Sequence, residues 1–262
     1  MAWEATRERM WEATHAVGEG IVEMAAPAEG ETVLELAAGT GDTGFLAAER
    51  IGDRGLLIST DRSPEMVASA RRRAASLGIT NVELREMEAE RIDLATASVD
   101  VVLCRWGYML LDDPLSALRE TQRVLRPGGR AAFAVWAPRD ENPWNSVIQA
   151  VFAGRGLFPP TDPAEPGPFR LGDRAELRQL VGDAGLELVE MRDLPVLWSY
   201  AGANEYWDTM STLSPSVSRA AAELPEETAA EMRAELAERS ERFMTTDGRL
   251  ELPGVSIGVL AR

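Results

Sequence analysis

The sequence predicts an α/β protein built on a doubly wound, mostly parallel sheet. Three observations carry this. Short apolar runs rich in branched residues alternate with helical patterns along the first half of the chain. One of these runs, Thr32 to Leu36, passes through a loop of small residues, Ala37-Ala38-Gly39-Thr40-Gly41, into a helical stretch at Phe45-Leu46-Ala47-Ala48. A second run, Gly55 to Thr60, ends on an acid, Asp61, about 20 residues past the glycines, the spacing at which a carboxylate meets a ribose in nucleotide-binding βαβ units.

The bulk numbers fit one large domain, or one domain carrying an insertion, at 262 residues. With 45% hydrophobic and 27% charged residues the chain reads as globular rather than disordered or fibrous. A net charge of −16 argues against nucleic acid and anionic membranes as partners, since both are polyanions. The triplet Arg71-Arg72-Arg73 reads as a solvated helix face. Cys104 is the single cysteine, so no intramolecular disulfide forms, and one histidine excludes His-rich zinc sites; no metal is expected. The first fifteen residues are charged and lack the apolar core of a signal peptide, and no apolar run approaches the ~20 residues of a membrane span, so a cytoplasmic protein is expected. No feature fixes an oligomeric state.

Taken in order, residues 3–25 form one or two amphipathic helices bearing Trp3, Trp11 and His15, the last two sharing a face at four-residue spacing. The Thr32–Leu36 run is a buried parallel strand. In the loop after it, Gly39-Thr40-Gly41-Asp42-Thr43-Gly44 matches the dinucleotide pattern G-x-G-x-x-G. Two features turn the reading away from NAD. Glu35 stands just before the loop, where it repels a pyrophosphate and suits an amino group. Two alanines also lengthen the loop beyond the dinucleotide version.

Glu35-Leu36-Ala37-Ala38-Gly39-Thr40-Gly41 resembles the first motif of class I S-adenosylmethionine (SAM) dependent methyltransferases, roughly E/D-x-G-x-G-x-G, with Ala37 in place of its first glycine. The match continues to about Trp136 and is similar to the quinone-biosynthesis and small-molecule group. The resemblance implies a Rossmann-like, seven-stranded sheet whose last strand is antiparallel. It implies a single domain, with core 28–136, 173–193 and 249–262. Helical cap insertions come from 1–25, 137–170 and 200–246. It also implies SAM as cofactor, with S-adenosylhomocysteine as product.

The remaining elements fit within that frame. Gly55 to Asp61 is the second strand, and Asp61 takes the family's ribose role. Ser63-Pro64 opens the next helix, with Ser63 as N-cap. Met66, one turn on, packs on adenine in relatives. Asn81 to Glu86 is a polar edge strand. Met87-Glu88-Ala89-Glu90 aligns with the family's G-D-A-E, so Glu88 accepts the adenine amino group and the Ala89 backbone meets the ring. Val99 to Cys104 is the central fourth strand, and Arg105-Trp106-Gly107-Tyr108 leave its C-terminal end, where open α/β sheets hold ligands. Asp113-Pro114 starts a helix ending near Arg126. Pro127-Gly128-Gly129 turns the chain into a fifth strand, Arg130 to Trp136. Beyond it lie a helix over 142–155, a rigid loop from Phe158 to Phe169, a helix over 173–184, a sixth strand over 186–193, helical sequence over 204–245 with Tyr206 and Trp207 near its start, and a last strand from Arg249. The aromatic residues of the cap segments suggest an apolar small-molecule pocket.

The cofactor set implied by the resemblance is Glu35, Ala37, Gly39, Thr40, Gly41, Thr43, Asp61, Arg62, Met66, Glu88, Ala89, Cys104, Arg105 and Trp106. His15 and Tyr108 are the candidate general bases, and Arg105 the group that binds or polarises an acceptor's oxygen. The expected partner is a small-molecule acceptor methylated on oxygen or carbon, with nitrogen less favoured. The amino-DNA methylase tetrapeptide is absent after Cys104, there is no cysteine set for arsenic chemistry, and Trp106-Gly107-Tyr108 departs from the quinone enzymes' F-G-x-R-N. A non-catalytic SAM-binding protein and an NAD(P)-dependent oxidoreductase are the alternatives.

Overall fold

In the computed structural model, which describes residues 7–158 and 165–262, helix α1 (Arg7–Ala25) is followed by the first strand, β1 (Thr32–Leu36). Trp3 and the middle of the proline-rich loop lie outside the described residues. Then come α2 (Asp42–Ile51), β2 (Leu56–Asp61), α3 (Pro64–Leu77), β3 (Val82–Glu86), β4 (Val99–Arg105), α4 (Pro114–Val124) and β5 (Leu125–Trp136). The second half holds α5 (Pro143–Ala153), α6 (Arg174–Asp183), β6 (Leu188–Tyr200), α7 (Ala203–Leu213), α8 (Pro215–Ala222), α9 (Glu226–Ser240) and β7 (Leu250–Ala261).

The seven strands form one sheet in the order β3-β2-β1-β4-β5-β7-β6. β1 pairs in parallel with both β2 and β4, β2 with β3, and β4 with β5, while β7 runs antiparallel to β5. This is the expected doubly wound sheet, last strand included. The winding direction reverses between β1 and β4, which leaves a crevice at their C-terminal ends. β1 and β4 are buried along nearly their whole length, as strands covered on both faces must be, whereas β3, at the edge, is largely exposed. Ser63 caps α3 as its sequence requires, its hydroxyl accepting the Met66 N–H at 3.2 Å with Pro64 in the first turn.

Several boundaries differ from the sequence reading, each for a local reason. α2 begins at Asp42, because the left-handed Gly41 (φ 82°) ends the loop there. β5 begins at Leu125; Leu125 pairs with Val99 and Arg130 with Val101, so the Arg126–Gly129 turn bulges out of a strand that has already started. β6 runs past Asp193 to Tyr200, with Pro195 tolerated because β6 is an edge strand. The 204–245 stretch is three helices, divided at Pro215 and Pro225, where a proline starts each new helix or caps it.

The chain divides into two compact units. One contains Ala16–Ala137, Pro163–Leu194 and Ser256–Arg262 and carries the crevice-forming strands. The other contains the described parts of Met1–His15, Pro138–Asp162 and Pro195–Val255, and packs α5, α7 and α9 together. Among the described residues no helix is long and apolar enough to cross a membrane.

Candidate functional site

The loop after β1 is held from three sides. Gly39 lies in the left-handed region (φ 58°), and its N–H donates to Asp61 Oδ2 at 2.8 Å. Asp61 Oδ1 accepts the Ser63 N–H at 2.9 Å, so this carboxylate joins the loops after β1 and β2. The Ala38 N–H donates to the Thr60 carbonyl, and the Met87 N–H to that of Asp61. Strand ends β1, β2 and β3 are thus tied around Asp61. Met66 is half-buried in the first turn of α3, Ala89 is buried, and Arg62 and Glu88 are exposed. Ala37, which stands where relatives place glycine, takes a left-handed backbone (φ 50°) that disfavours any side chain.

Glu35 requires a correction. Assigned from sequence to a ligand's amino group, it points into the fold and is 2% exposed. Oε1 accepts the Gly44 N–H and Oε2 the Ser59 hydroxyl, both at 2.7 Å. A side chain at position 44 would collide with this carboxylate, which explains the glycine. Burial raises the Glu35 pKa to about 7, against the lowering effect of its two hydrogen bonds and the Arg105 charge. Both oxygens have protein donors, so Glu35 fastens β1 to β2 and α2.

Asp42 and Arg73 meet at the start of α2 beside the loop; Asp42 was not singled out from the sequence, and Arg73 only within the triplet read as a solvated face. The Thr40 hydroxyl donates to Asp42 Oδ2 at 2.7 Å, Arg73 Nη1 lies 2.5 Å from Asp42 Oδ1, and Arg105 Nη2 is 3.8 Å from Oδ2. Arg73 also donates to the Thr40 carbonyl and lies over the Phe45 ring. It therefore leaves the solvated face expected for the Arg71-Arg72-Arg73 triplet. An acid in the first turn of α2 was the one available signal, because it suits the helix dipole. Nothing local in the sequence pairs it with position 73.

At the end of β4, Cys104 is buried, and burial pushes its thiol up to about 12, which leaves it unreactive. Trp106 adopts φ 59°. Its indole stacks on Trp136 (centroids 4.4 Å apart, planes 13° apart) and its Nε1 donates to Ser256 at 2.9 Å. The Arg105 guanidinium lies over the same indole at 5.0 Å. Trp106, expected to line the transfer site, is half-buried, with its indole stacked on Trp136 and in contact with the Arg105 guanidinium. Tyr108 is corrected outright: it is 1% exposed, set edge-on to Phe133, with its hydroxyl 2.6 Å from Thr121 Oγ1. Burial holds its phenol well above the ordinary value. A phenol enclosed between helix and sheet cannot reach a reacting group, so Tyr108 leaves the list of bases.

His15 Nδ1 lies 3.2 Å from the Trp11 carbonyl and 3.0 Å from that of Glu12. Both partners are acceptors, so in neutral imidazole Nδ1 carries the proton and Nε2 keeps a lone pair, the form a base needs. In the second unit the aromatic residues expected to line a pocket form that unit's own core. Tyr206 is fully buried, its hydroxyl donating to the Trp144 carbonyl and accepting the Ile148 N–H. Trp207 is 3% exposed and stacks on Phe152.

The doubly wound sheet and the glycine loop at its switch point define a class of protein that holds a nucleotide-like ligand beside β1. More particularly, residues 27–151 match a family model described as a methyltransferase domain. That stretch contains the loop, Asp61 and the end of β4, and it belongs to the class I SAM-dependent methyltransferases. Over 110 residues the chain is 42% identical to an arsenite methyltransferase of Halobacterium salinarum, covering 42% of this chain and 28% of that protein. Over 117 residues it is 34% identical to the aklanonic acid methyltransferase DauC of Streptomyces sp. strain C5, covering 45% and 53%. The chain thus spans about half or less of the length of these curated relatives. A SAM-dependent methyltransferase from Aquifex aeolicus shares the fold, with TM-score 0.53 and 23% identity over 68% of this chain and 83% of its own.

Proposed function

We propose that this protein transfers a methyl group from SAM to an oxygen or carbon atom of a small organic acceptor, leaving S-adenosylhomocysteine. The observation that carries the reading is the Asp61–Gly39 clamp: a carboxylate at the end of β2 fixes a left-handed glycine in the loop after β1. The residues present fit the cofactor. A Cβ at Gly39 would meet nothing within 4 Å among the described residues, which leave space above the loop. Thr43 Oγ1, in the first turn of α2, is buried without a hydrogen-bond partner among the described residues.

Ala37, Gly39, Thr40, Gly41 and Thr43 would line the amino-acid end of the cofactor, with the backbone of Cys104 and Arg105 opposite. Asp61 would accept the ribose hydroxyls with the lone pairs its two N–H donors leave over. Met66, Glu88 and Ala89 would border adenine. When bound, SAM supplies an electrophilic methyl group on a sulfonium, so the chain's work is alignment and exclusion of water, worth up to ~7–11 kcal/mol in well-oriented reactions. With Tyr108 withdrawn, His15 is the remaining candidate for taking a proton from an acceptor, through Nε2. An arsenic acceptor like that of the Halobacterium relative calls for soft thiolate ligands, and the single cysteine here is buried.

Calorimetric titration with SAM and, separately, NADH tests the reading, alongside Asp61→Ala. SAM binding that falls at least about tenfold in the variant is expected, since hydrogen bonds to a charged group are worth about 1.5–3 kcal/mol. A thermal melt of the variant separates loss of the site from loss of the fold. Binding of NADH in place of SAM would sink the proposal.

A further inference from the structure

The second unit, which packs α5, α7 and α9 together, encloses a polar atom that the groups around it leave unpaired. The later part of β6 alternates between inside and outside, so Val196, Trp198 and Tyr200 are buried while Pro195 and Leu197 are exposed. Trp198 is 2% exposed and lies among rings. Trp144 is beside it, with centroids 5.6 Å apart and planes at 30°, and Tyr200 at 6.4 Å and 6°. An indole N–H can only donate. Trp198 Nε1 is shut away from solvent and has no hydrogen-bond partner among the described residues. Two other ring groups of the unit show the contrast. Trp144 Nε1 donates to Asn142 Oδ1 at 2.9 Å, and the Tyr206 hydroxyl donates to the Trp144 carbonyl at 2.7 Å and accepts the Ile148 N–H at 3.2 Å.

The neighbouring rings do not take the proton either. An N–H lies in the plane of its own ring, so it meets another ring's π face only where the two planes stand steeply to one another. At 6° and 30°, neither Tyr200 nor Trp144 turns its face to Nε1. A buried donor without an acceptor has given up its hydration with no return, and buried polar groups in native proteins are overwhelmingly paired. Packing alone does not require the group, since phenylalanine at this position would keep an aromatic ring without an unpaired N–H. The missing partner is therefore an acceptor atom from outside the described residues. Its chemistry is set by the surroundings. Trp144 and Tyr200 are uncharged, and an anionic oxygen enclosed beside them would have lost its hydration without a counter-charge from either. A neutral carbonyl oxygen suits the site, and a flat, apolar body continues the packing of nearly parallel rings.

We propose that the second unit binds a flat, apolar small molecule bearing a neutral carbonyl oxygen, and that Trp198 Nε1 donates to that oxygen. The ligand enters as the enclosing side chains part, and is itself enclosed once bound. This goes beyond the methyl-transfer reading and does not depend on it, because the donor and the rings beside it all belong to one unit.

The test uses two probes of one shape on the full chain, without cofactor: 2-acetylnaphthalene, and 2-isopropenylnaphthalene, in which a methylene group replaces the carbonyl oxygen. Equilibrium dialysis gives the ratio of the ketone's affinity to the olefin's, in wild type and in Trp198→Phe. Comparing the two ratios cancels the probes' own difference in hydrophobicity. The ratio should fall about threefold to tenfold in the variant, the size of one neutral hydrogen bond. The variant's thermal midpoint should hold or rise, because it no longer buries a bare N–H. Should Trp198→Phe fail to fold, wild type carries the test by NMR. With the indole nitrogens of its seven tryptophans isotopically labelled, the Trp198 Nε1–H signal is assigned through its contacts with the Trp144 and Tyr200 rings. It should move downfield with the ketone and not with the olefin. Equal ratios in the two proteins, or an unmoved signal, would overturn the proposal. So would failure of both probes to bind, which would leave the N–H to a buried water. SAM binding is measured separately, so this proposal and the methyl-transfer reading fail independently.

Discussion

The ends of β1 and β4 lie side by side, and each strand leaves the sheet through a non-glycine residue in the left-handed region, Ala37 (φ 50°) and Trp106 (φ 59°). Beyond those two residues the loops diverge. After β1 every residue to Gly41 is small, and the described residues leave the space above Gly39 open. After β4 come Trp106, stacked on Trp136 and in contact with Arg105, and Tyr108, fully enclosed. One loop is shaped to let a ligand approach backbone; the other is shaped to hold side chains in place. Strain at the first makes room, and strain at the second sets Trp106 against Trp136.

The largest expected effect separates the ends by pH. Glu35 anchors the β1 end, and its pKa near 7 in the folded protein lies above its ordinary value of 4.5. The folded state therefore binds its proton more tightly than the unfolded one. This contribution to stability is complete below about pH 4.5 and is lost as pH rises through 7, with an amplitude on the order of 3 kcal/mol. Urea melts of wild type and Glu35→Gln from pH 5 to pH 8 should show the wild type's advantage shrinking by roughly that amount. A constant difference across the range would mean that Glu35 is ionised throughout and that its burial is better compensated than its two hydrogen bonds suggest.

At the β4 end the side chain outweighs the backbone. Trp106→Ala removes the stack on Trp136 and the bond to Ser256 while keeping a Cβ at positive φ, and should cost about 2–3 kcal/mol. Trp106→Gly loses the same contacts but relaxes the backbone, and should recover about 1 kcal/mol of that loss. Denaturant midpoints of the two variants measure the difference directly. If glycine is no better than alanine here, the left-handed backbone carries no strain and the parallel with Ala37 fails.

The same contrast explains what could be read from sequence. The sheet, its order-reversing crevice and the loop after β1 were legible, because strand runs, small residues and a capping Ser-Pro act locally. Asp61 was legible as a residue at a fixed distance from the glycines. The β4 end was not. Whether Tyr108 faces ligand or core depends on Thr121 and Phe133, and whether Trp106 offers a free face depends on Trp136 and Ser256, which is 150 positions away. Glu35 shows the limit in one residue. Its place before the loop was plain, but its direction is set by Ser59 and Gly44 on two other elements. The aromatic residues of the helical unit likewise had a pattern that core and pocket share.

The smallest effect tests the β1 end by its one departure from the family motif. Ala37 holds a glycine's conformation, so Ala37→Gly should stabilise the protein by about 0.5–1 kcal/mol, the left-handed penalty less the added entropy of the unfolded chain. The neighbouring Gly107 gives the converse. A Cβ there would sit 2.6 Å from Cys104 Sγ and 2.7 Å from the Ala37 Cβ, so Gly107→Ala should destabilise by about 1–3 kcal/mol. Combining the two separates strain from crowding. Removing the Ala37 Cβ relieves one of the two close contacts, so the double variant should be more stable than the sum of the single changes. Additive effects would show that Cys104 alone crowds position 107, and that the two loops, though adjacent, set their backbones independently.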